Sequence, residues 1–210
     1  MPIAFKEWAV TVRALAEGEQ LLTLRKSTSR ELDKPFALDY DRFFLYPTFD
    51  CQSPDLVRES HRPELARALE EGVWSDFEPN PTAIARGVEI HQPDRVRIRA
   101  WAEVAAIHTV TDRRAIDALS PFYVWTTDYA EKSLEWRHRT PIHVIVLRTY
   151  RIPRPVTVKV RDDYGNMRPW VELTRELPFE GTPVLAAEEF ERASEEIAGI
   201  ASGERIPALV

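Results

Sequence analysis

One cysteine, Cys51, and seven glycines in 210 residues set the first limits. A lone cysteine excludes an intrachain disulfide and any cysteine-rich metal site. The glycines are scattered, so no glycine-rich loop is present to cradle a phosphate. The five histidines, His61, His91, His108, His138 and His143, lack the paired spacing of a ligand set, and no metal or other cofactor is expected. No apolar run approaches the roughly 20 residues of a membrane helix, and the opening MPIAFKEWAV has no signal-peptide pattern. A cytoplasmic protein with no membrane contact is therefore expected. The formal net charge of -6 argues against a molecule that holds nucleic acid over its whole surface, because such affinity rests on accumulated positive charge. Internal repeats and low-complexity tracts are also missing.

The chain does have the means for a packed core, with 44% hydrophobic and 10% aromatic residues. Its charge is unevenly placed. Between Lys132 and Arg168 basic residues exceed acidic ones by six, and between Val171 and Val210 acids exceed bases by six. A basic middle is thus followed by an acidic end.

The stretch from Ser120 to Val160 organises the pattern around it. Ile142 to Ile152 carries apolar side chains in both alternating sets, which predicts a central strand covered on both faces. Before it, Thr127 and Asp128 suit a helix start, with Tyr129, Ser133 and Trp136 on one helical face. Near the N-terminus, Trp8, Val10, Val12 and Ala14 alternate up to Glu17-Gly18-Glu19, and Gln20 to Lys26 follows, a pattern expected of a β-hairpin. Arg42 to Gln52 predicts a strand ended by Pro47, and Ser53-Pro54-Asp55 and Pro63 each mark a helix start, the second helix covering Glu64 to Glu71. Val73 to Arg86, with Pro79 and Pro81, suggests a boundary. In Arg95 to Val104 the even positions are apolar, while Arg95, Arg97, Arg99, Trp101 and Glu103 share the other face. Asp112 to Leu119 predicts a short helix, and Leu185 to Ala198 an amphipathic one stopped by Gly199.

Together these elements predict an α+β fold of mostly antiparallel sheets with short helices, the C-terminal half forming a small barrel or strongly bent sheet. Two segments are expected, 1–80 and 81–210, packed as one unit.

Catalytic patterns fail on spacing. Helical acids such as those of a Nudix hydrolase would need Arg58-Glu59 and Glu70-Glu71 close together after a glycine loop, but Pro63 intervenes and the glycine is absent. A restriction-type nuclease would need a strand-borne acid, any residue and a lysine after Asp55 or Asp94, and none follows. Cys51 after an aromatic run suits a small buried hydrophobe better than a nucleophile. What is left is basic residues interleaved with aromatics. Arg97, Arg99 and Trp101, together with Trp125, Trp136, Arg137 and Arg139, would pair cations with phosphates and aromatic planes with bases. The competing structural explanation is tryptophans in the core and arginines facing acids.

The pieces FKEWAV (Phe5 to Val10), LLTLRK (Leu21 to Lys26), RFFLYPTFDCQ (Arg42 to Gln52), RIRAWAEV (Arg97 to Val104), FYVWTTDY (Phe122 to Tyr129) and PIHVIVLRTYRIPRPV (Pro141 to Val156) stand in an order that resembles a prokaryotic family, domain of unknown function 1802 (DUF1802). Two departures are visible: Ser27-Thr28 where the family usually has two glycines, and Cys51 where it usually has a histidine. The resemblance implies no activity. It implies only that some relatives accompany restriction-endonuclease-like domains, hence a link to restriction or DNA defence. The layout from Arg95 to Val160 is also similar to pseudouridine-synthase-and-archaeosine-transglycosylase (PUA)-like barrels, which read RNA or modified bases. The expected function is a nucleic-acid or nucleotide recognition module without its own catalysis. A small nucleotide-acting enzyme is one alternative. The other is a structural subunit that meets a protein partner through its acidic C-terminal helix.

Overall fold

The computed structural model describes residues 1–26, 38–49, 53–72, 95–136, 140–161, 164 and 168–205. Cys51 and the expected boundary at 73–86 lie outside the described residues. In chain order the elements are β1 (Ile3–Trp8), α1 (Ala9–Glu17), β2 (Leu22–Lys26), β3 (Arg42–Thr48), α2 (Arg62–Gly72), β4 (Arg95–Val110), α3 (Arg113–Ala118), α4 (Tyr129–Lys132), β5 (Ile142–Lys159), β6 (Trp170–Glu172), β7 (Thr182–Pro183) and α5 (Ala187–Ala201). The fold is α+β. A single seven-stranded sheet runs β2-β5-β4-β3-β1-β6, with β7 beside β5. Among the described residues only β1 and β3 pair in parallel, and β5 and β4 from the second half of the chain lie between β2 and β3 from the first.

The expected N-terminal hairpin is instead strand, helix, strand. Residues 9 to 12 and 14 to 16 are all buried, so the alternation of Trp8, Val10, Val12 and Ala14 reflects a helix with core on most sides. Three alanines favour it. Glu17-Gly18-Glu19 does turn the chain, but as the end of that helix: Gly18 sits at φ 80, and the Glu19 N–H reaches back to the Ala14 carbonyl at 2.9 Å. The helix is needed because β1 and β2 are not neighbours. They stand at opposite ends of the path β2-β5-β4-β3-β1, and α1 carries the chain between them.

Those two ends nevertheless meet through side chains. Thr23 on β2 donates to the Glu7 carboxylate on β1 at 2.6 Å, and the Arg25 guanidinium lies 4.6 Å from the Phe5 ring centroid. The sheet has therefore curled until its first and fifth strands touch, a side-chain seam replacing a ladder of backbone bonds. One core lies on one face: Phe5, Phe43, Leu45, Ala100, Ala102, Ile145 and Leu147, plugged by Val12, Leu15 and Ala16 of α1. The larger core on the other face joins Phe44, Tyr46, Trp101, Val144 and Val146 to the helices and the aromatic loop.

The central strand is central, with Ile142 and Val144 to Leu147 all 0% exposed between β2 and β4. Its pairing with β4 is irregular at two points. Ile98 faces Val156 but Ala100 faces Arg151, so β5 carries extra residues there. Pro153 and Pro155 fall in that interval, and neither has an N–H for the ladder. Further on, Val104 faces Leu147 and Ala106 faces Val146, leaving Ala105 as an extra residue of β4. Strand β3 was expected to stop at Pro47 but continues to Thr48. Its pairing with β4 ends at Phe44, so at Pro47 only the β1 side is occupied and the missing N–H costs no bond on the other.

The short helix expected over Asp112 to Leu119 is α3, and Asp112 caps it, accepting from the Arg114 N–H at 2.9 Å. The C-terminal helix does not stop at Gly199. That residue lies inside α5, where an added Cβ would come within 2.7 Å of the Arg205 side chain. Phe190, Ile197 and Ile200 bury the apolar face of α5, which packs against β4, β5 and α3. Its glutamates, Glu188, Glu189, Glu191, Glu195 and Glu196, are left outside. Val146→Ala should lower stability by about 1 to 3 kcal/mol in thermal or urea unfolding, since the side chain is sealed between β2 and β4 and the void cannot fill with water.

Candidate anion-binding cavity

The first irregularity in β4 decides where the expected site residues point. Val96 and Ile98 belong to the larger core and Ala100 and Ala102 to the smaller one, so the strand changes face between them. Arg97 and Arg99 turn toward α1, while Trp101 turns to the larger core, opposite to the face its spacing implies. The arginine ladder and its tryptophan are therefore separated.

Arg97 and Arg99 line a cavity of 170 Å³ with Arg13, Arg151 and Glu17. Ala9, Val12, Ala16, Pro47 and Ala68 supply apolar walls. Each cation is held. Arg13 bridges Glu17 at 3.1 Å and Glu64 of α2 at 2.7 Å. The Arg151 Nη2 donates to the Ala16 carbonyl at 2.8 Å, closing the C-terminal end of α1. Arg97 and Arg99 are half-buried and make contacts of their own. Among the described residues four guanidinium groups thus share the wall with the Glu17 carboxylate, with Glu64 behind Arg13. Guanidinium forks match the oxygens of a phosphate or carboxylate two at a time. The volume is below the roughly 300 to 1,000 Å³ of a site for a whole small molecule, so it suits one anionic group of a larger ligand.

The expected stacking platforms are not surfaces. Trp125 is 0% exposed, stacked on Tyr129 at 4.1 Å and donating to the Thr11 hydroxyl at 3.1 Å. Trp136 is 3% exposed and donates to the Thr140 carbonyl at 2.7 Å. Trp101 is 5% exposed: it stacks on Tyr150 at 4.0 Å, and its N–H is taken by the Glu180 carbonyl at 3.1 Å. Gly181 lies so close that a Cβ there would meet the Arg151 carbonyl oxygen at 2.6 Å. All three indoles are core, with their one polar atom satisfied inside the protein. Arg137 and Arg139 lie outside the described residues. Arg13 and Arg151 were missing from the expected set. Arg151 belongs to the basic middle of the chain, and Arg13 becomes visible as a site residue only once α1 is recognised as a helix.

At the seam, burial pushes the Glu7 carboxyl above its ordinary value of 4.5, opposed by the Thr23 hydroxyl, the Arg25 charge and the Trp8 N–H. Tyr129, beside it, is raised by burial and then by the Glu7 charge. Among the described residues no three His, Cys, Asp or Glu cluster to hold a metal, and no helix is long and apolar enough to cross a membrane.

These features define an α+β protein whose curled sheet carries an arginine-lined cavity beside a buried helix. The family model for a domain of unknown function, DUF1802, matches residues 4–196, and the chain belongs to that family. No curated protein matches it. Among solved structures it is similar to the ASCH protein from Zymomonas mobilis at 10% identity and a TM-score of 0.40, over 93% of this chain and 94% of that one. A mutant form of the same protein gives 12% identity and 0.38, over 93% and 95%. At that distance the likeness decides neither ligand nor chemistry.

Because the folded protein favours protonated Glu7, its contribution to stability is complete below the unfolded value of 4.5 and is lost as pH rises through the higher folded value. Wild-type Tm should therefore fall relative to that of Glu7→Gln as pH is raised from about 4.5, and parallel Tm curves for the two would contradict a buried, raised carboxyl at the seam.

Proposed function

We propose that the protein recognises nucleic acid or a nucleotide without catalysis of its own, and that the arginine cavity receives a phosphate. The observation that supports this is the convergence of Arg13, Arg97, Arg99 and Arg151 on one cavity, in a chain whose overall charge is -6. Four of the 28 basic residues meet around this one cavity. The salt bridges of Arg13 and the carbonyl contact of Arg151 hold two of the forks in position before any ligand arrives, which reduces the ordering cost of binding. Recognition rests on phosphate contact, because Trp101, Trp125 and Trp136 are closed off from a base.

Binding of short DNA and RNA oligonucleotides at two salt concentrations tests this. Arg97→Ala and Arg99→Ala should each weaken binding for all sequences and reduce the slope of log affinity against log salt by about 0.7 to 0.9 for each phosphate that is no longer neutralised. Trp125→Phe, a buried change, should leave that slope unaltered. Absence of binding at low salt, or arginine variants that bind like the wild type, would remove the proposal.

A further inference from the structure

A second cavity, of 540 Å³, lies at the far edge of the sheet beside β6, lined by Asp39, Tyr40, Tyr164, Arg168, Trp170 and Glu172 among others. Its size falls in the range of about 300 to 1,000 Å³ that takes a whole small molecule. Tyr40 and Trp170 in its lining, unlike the buried tryptophans, reach solvent. Tyr40 is 38% exposed, and Trp170 is half-buried with its ring 5.1 Å from that of Tyr40 at 73°. The inner side of Trp170 rests on Phe5 at 4.8 Å and Phe43 at 5.1 Å, so the indole is braced from behind by the smaller core.

The backbone of β6 adds a polar edge. Lys6 N–H bonds the Pro169 carbonyl and Leu173 N–H bonds the Pro2 carbonyl, which turns residues 169 and 173, with Val171 between them, toward β1. In an antiparallel pair the amide groups of the residues between then face away from the partner, here those of Trp170 and Glu172. The Tyr164 hydroxyl takes the Glu172 carbonyl at 2.8 Å, in keeping with that direction. No strand borders this edge among the described residues. The Trp170 N–H and C=O therefore stand as a donor and acceptor pair next to an aromatic corner. Lining charge is mixed, with Arg168 accompanied by Asp39 and Glu172, so the cavity lacks the cationic excess that would favour a phosphate.

We propose that this cavity binds a nucleobase, either of a free nucleoside or of an unpaired nucleotide in a strand. The planar ring stacks against Tyr40 within the corner formed with Trp170, and its amide-like edge pairs with the Trp170 backbone. Asp39 and Glu172 accept from exocyclic amino or ribose hydroxyl groups. This site stands apart from the arginine cavity and does not rest on it.

Saturation-transfer NMR on the full chain with adenosine, guanosine, cytidine and uridine at millimolar concentration tests the idea. For at least one nucleoside, base protons should receive more saturation than ribose protons. Tyr40→Ala, an exposed change, should raise its Kd about tenfold, in line with the removal of one stacking partner. Trp170→Leu should do the same, with circular dichroism confirming the fold. Arg192→Ala, an exposed change outside both cavities, should leave nucleoside binding unchanged. Competition by a short oligonucleotide identifies a base within a strand as the ligand, and failure to compete identifies the free nucleoside. No saturation of base protons for any of the four, binding that survives both aromatic substitutions, or binding abolished in Arg192→Ala would overturn the proposal. Nucleoside binding without oligonucleotide binding at low salt would sustain this site while removing the phosphate reading of the other.

Discussion

Strands β4 and β5 pair from one end to the other except at two points, and the rest of the molecule depends on those two departures. A regular ladder would keep every second residue of each strand on one face throughout. Here the two prolines of β5 interrupt the bonds near Ile152, and Ala105 inserts into β4, so β4 changes face and returns while the even-numbered residues of β5, from Ile142 to Val158, stay on the larger core. That allows two strands of sixteen and eighteen residues to supply both cores. It also turns Arg97 and Arg99 toward α1 while Trp101 faces the opposite core.

Curling brings a second constraint. Once β1 and β2 meet, the space inside the curve must be filled, and α1 fills one end of it with Val12, Leu15 and Ala16. A helix buried on most of its circumference brings polar groups inside, and each needs a partner. Thr11 accepts from the Trp125 indole, and the Gln20 side chain accepts from Val124 N–H while donating to the Leu22 carbonyl. These bonds lock the aromatic loop to α1 and β2, so residues far apart in the chain hold one arrangement. The tryptophan of this loop serves that purpose.

The two cavities differ in their chemistry as well as their place. The first is small, cationic and built from side chains held before any ligand arrives. The second is wide, of mixed charge and partly aromatic, at a sheet edge whose backbone is turned outward. Phosphate contact and base contact draw on different physics, one of counterion release and one of stacking with directed hydrogen bonds. Each cavity is backed by a packed support, α1 in one case and the Phe5–Phe43 side of the smaller core in the other.

Local pattern by itself determined the α+β class, the buried central strand at Ile142 to Leu147, the short helix that follows Asp112 and the amphipathic helix at the C-terminus. Each of these depends on residues within one or two turns or one strand, so periodicity suffices to read them. The tertiary structure alone decided that α1 is a helix, because its alternating apolar residues satisfy a strand equally well until β1 and β2 are known to lie at opposite ends of the path. It decided that Trp101, Trp125 and Trp136 are core, because an aromatic beside an arginine has the same composition whether it faces water or Tyr150. It joined Arg13 to Arg97, Arg99 and Arg151 across three elements that no spacing in the chain connects. Burial and convergence are set by what the sheet brings to the other side of a residue, and that partner is distant in sequence.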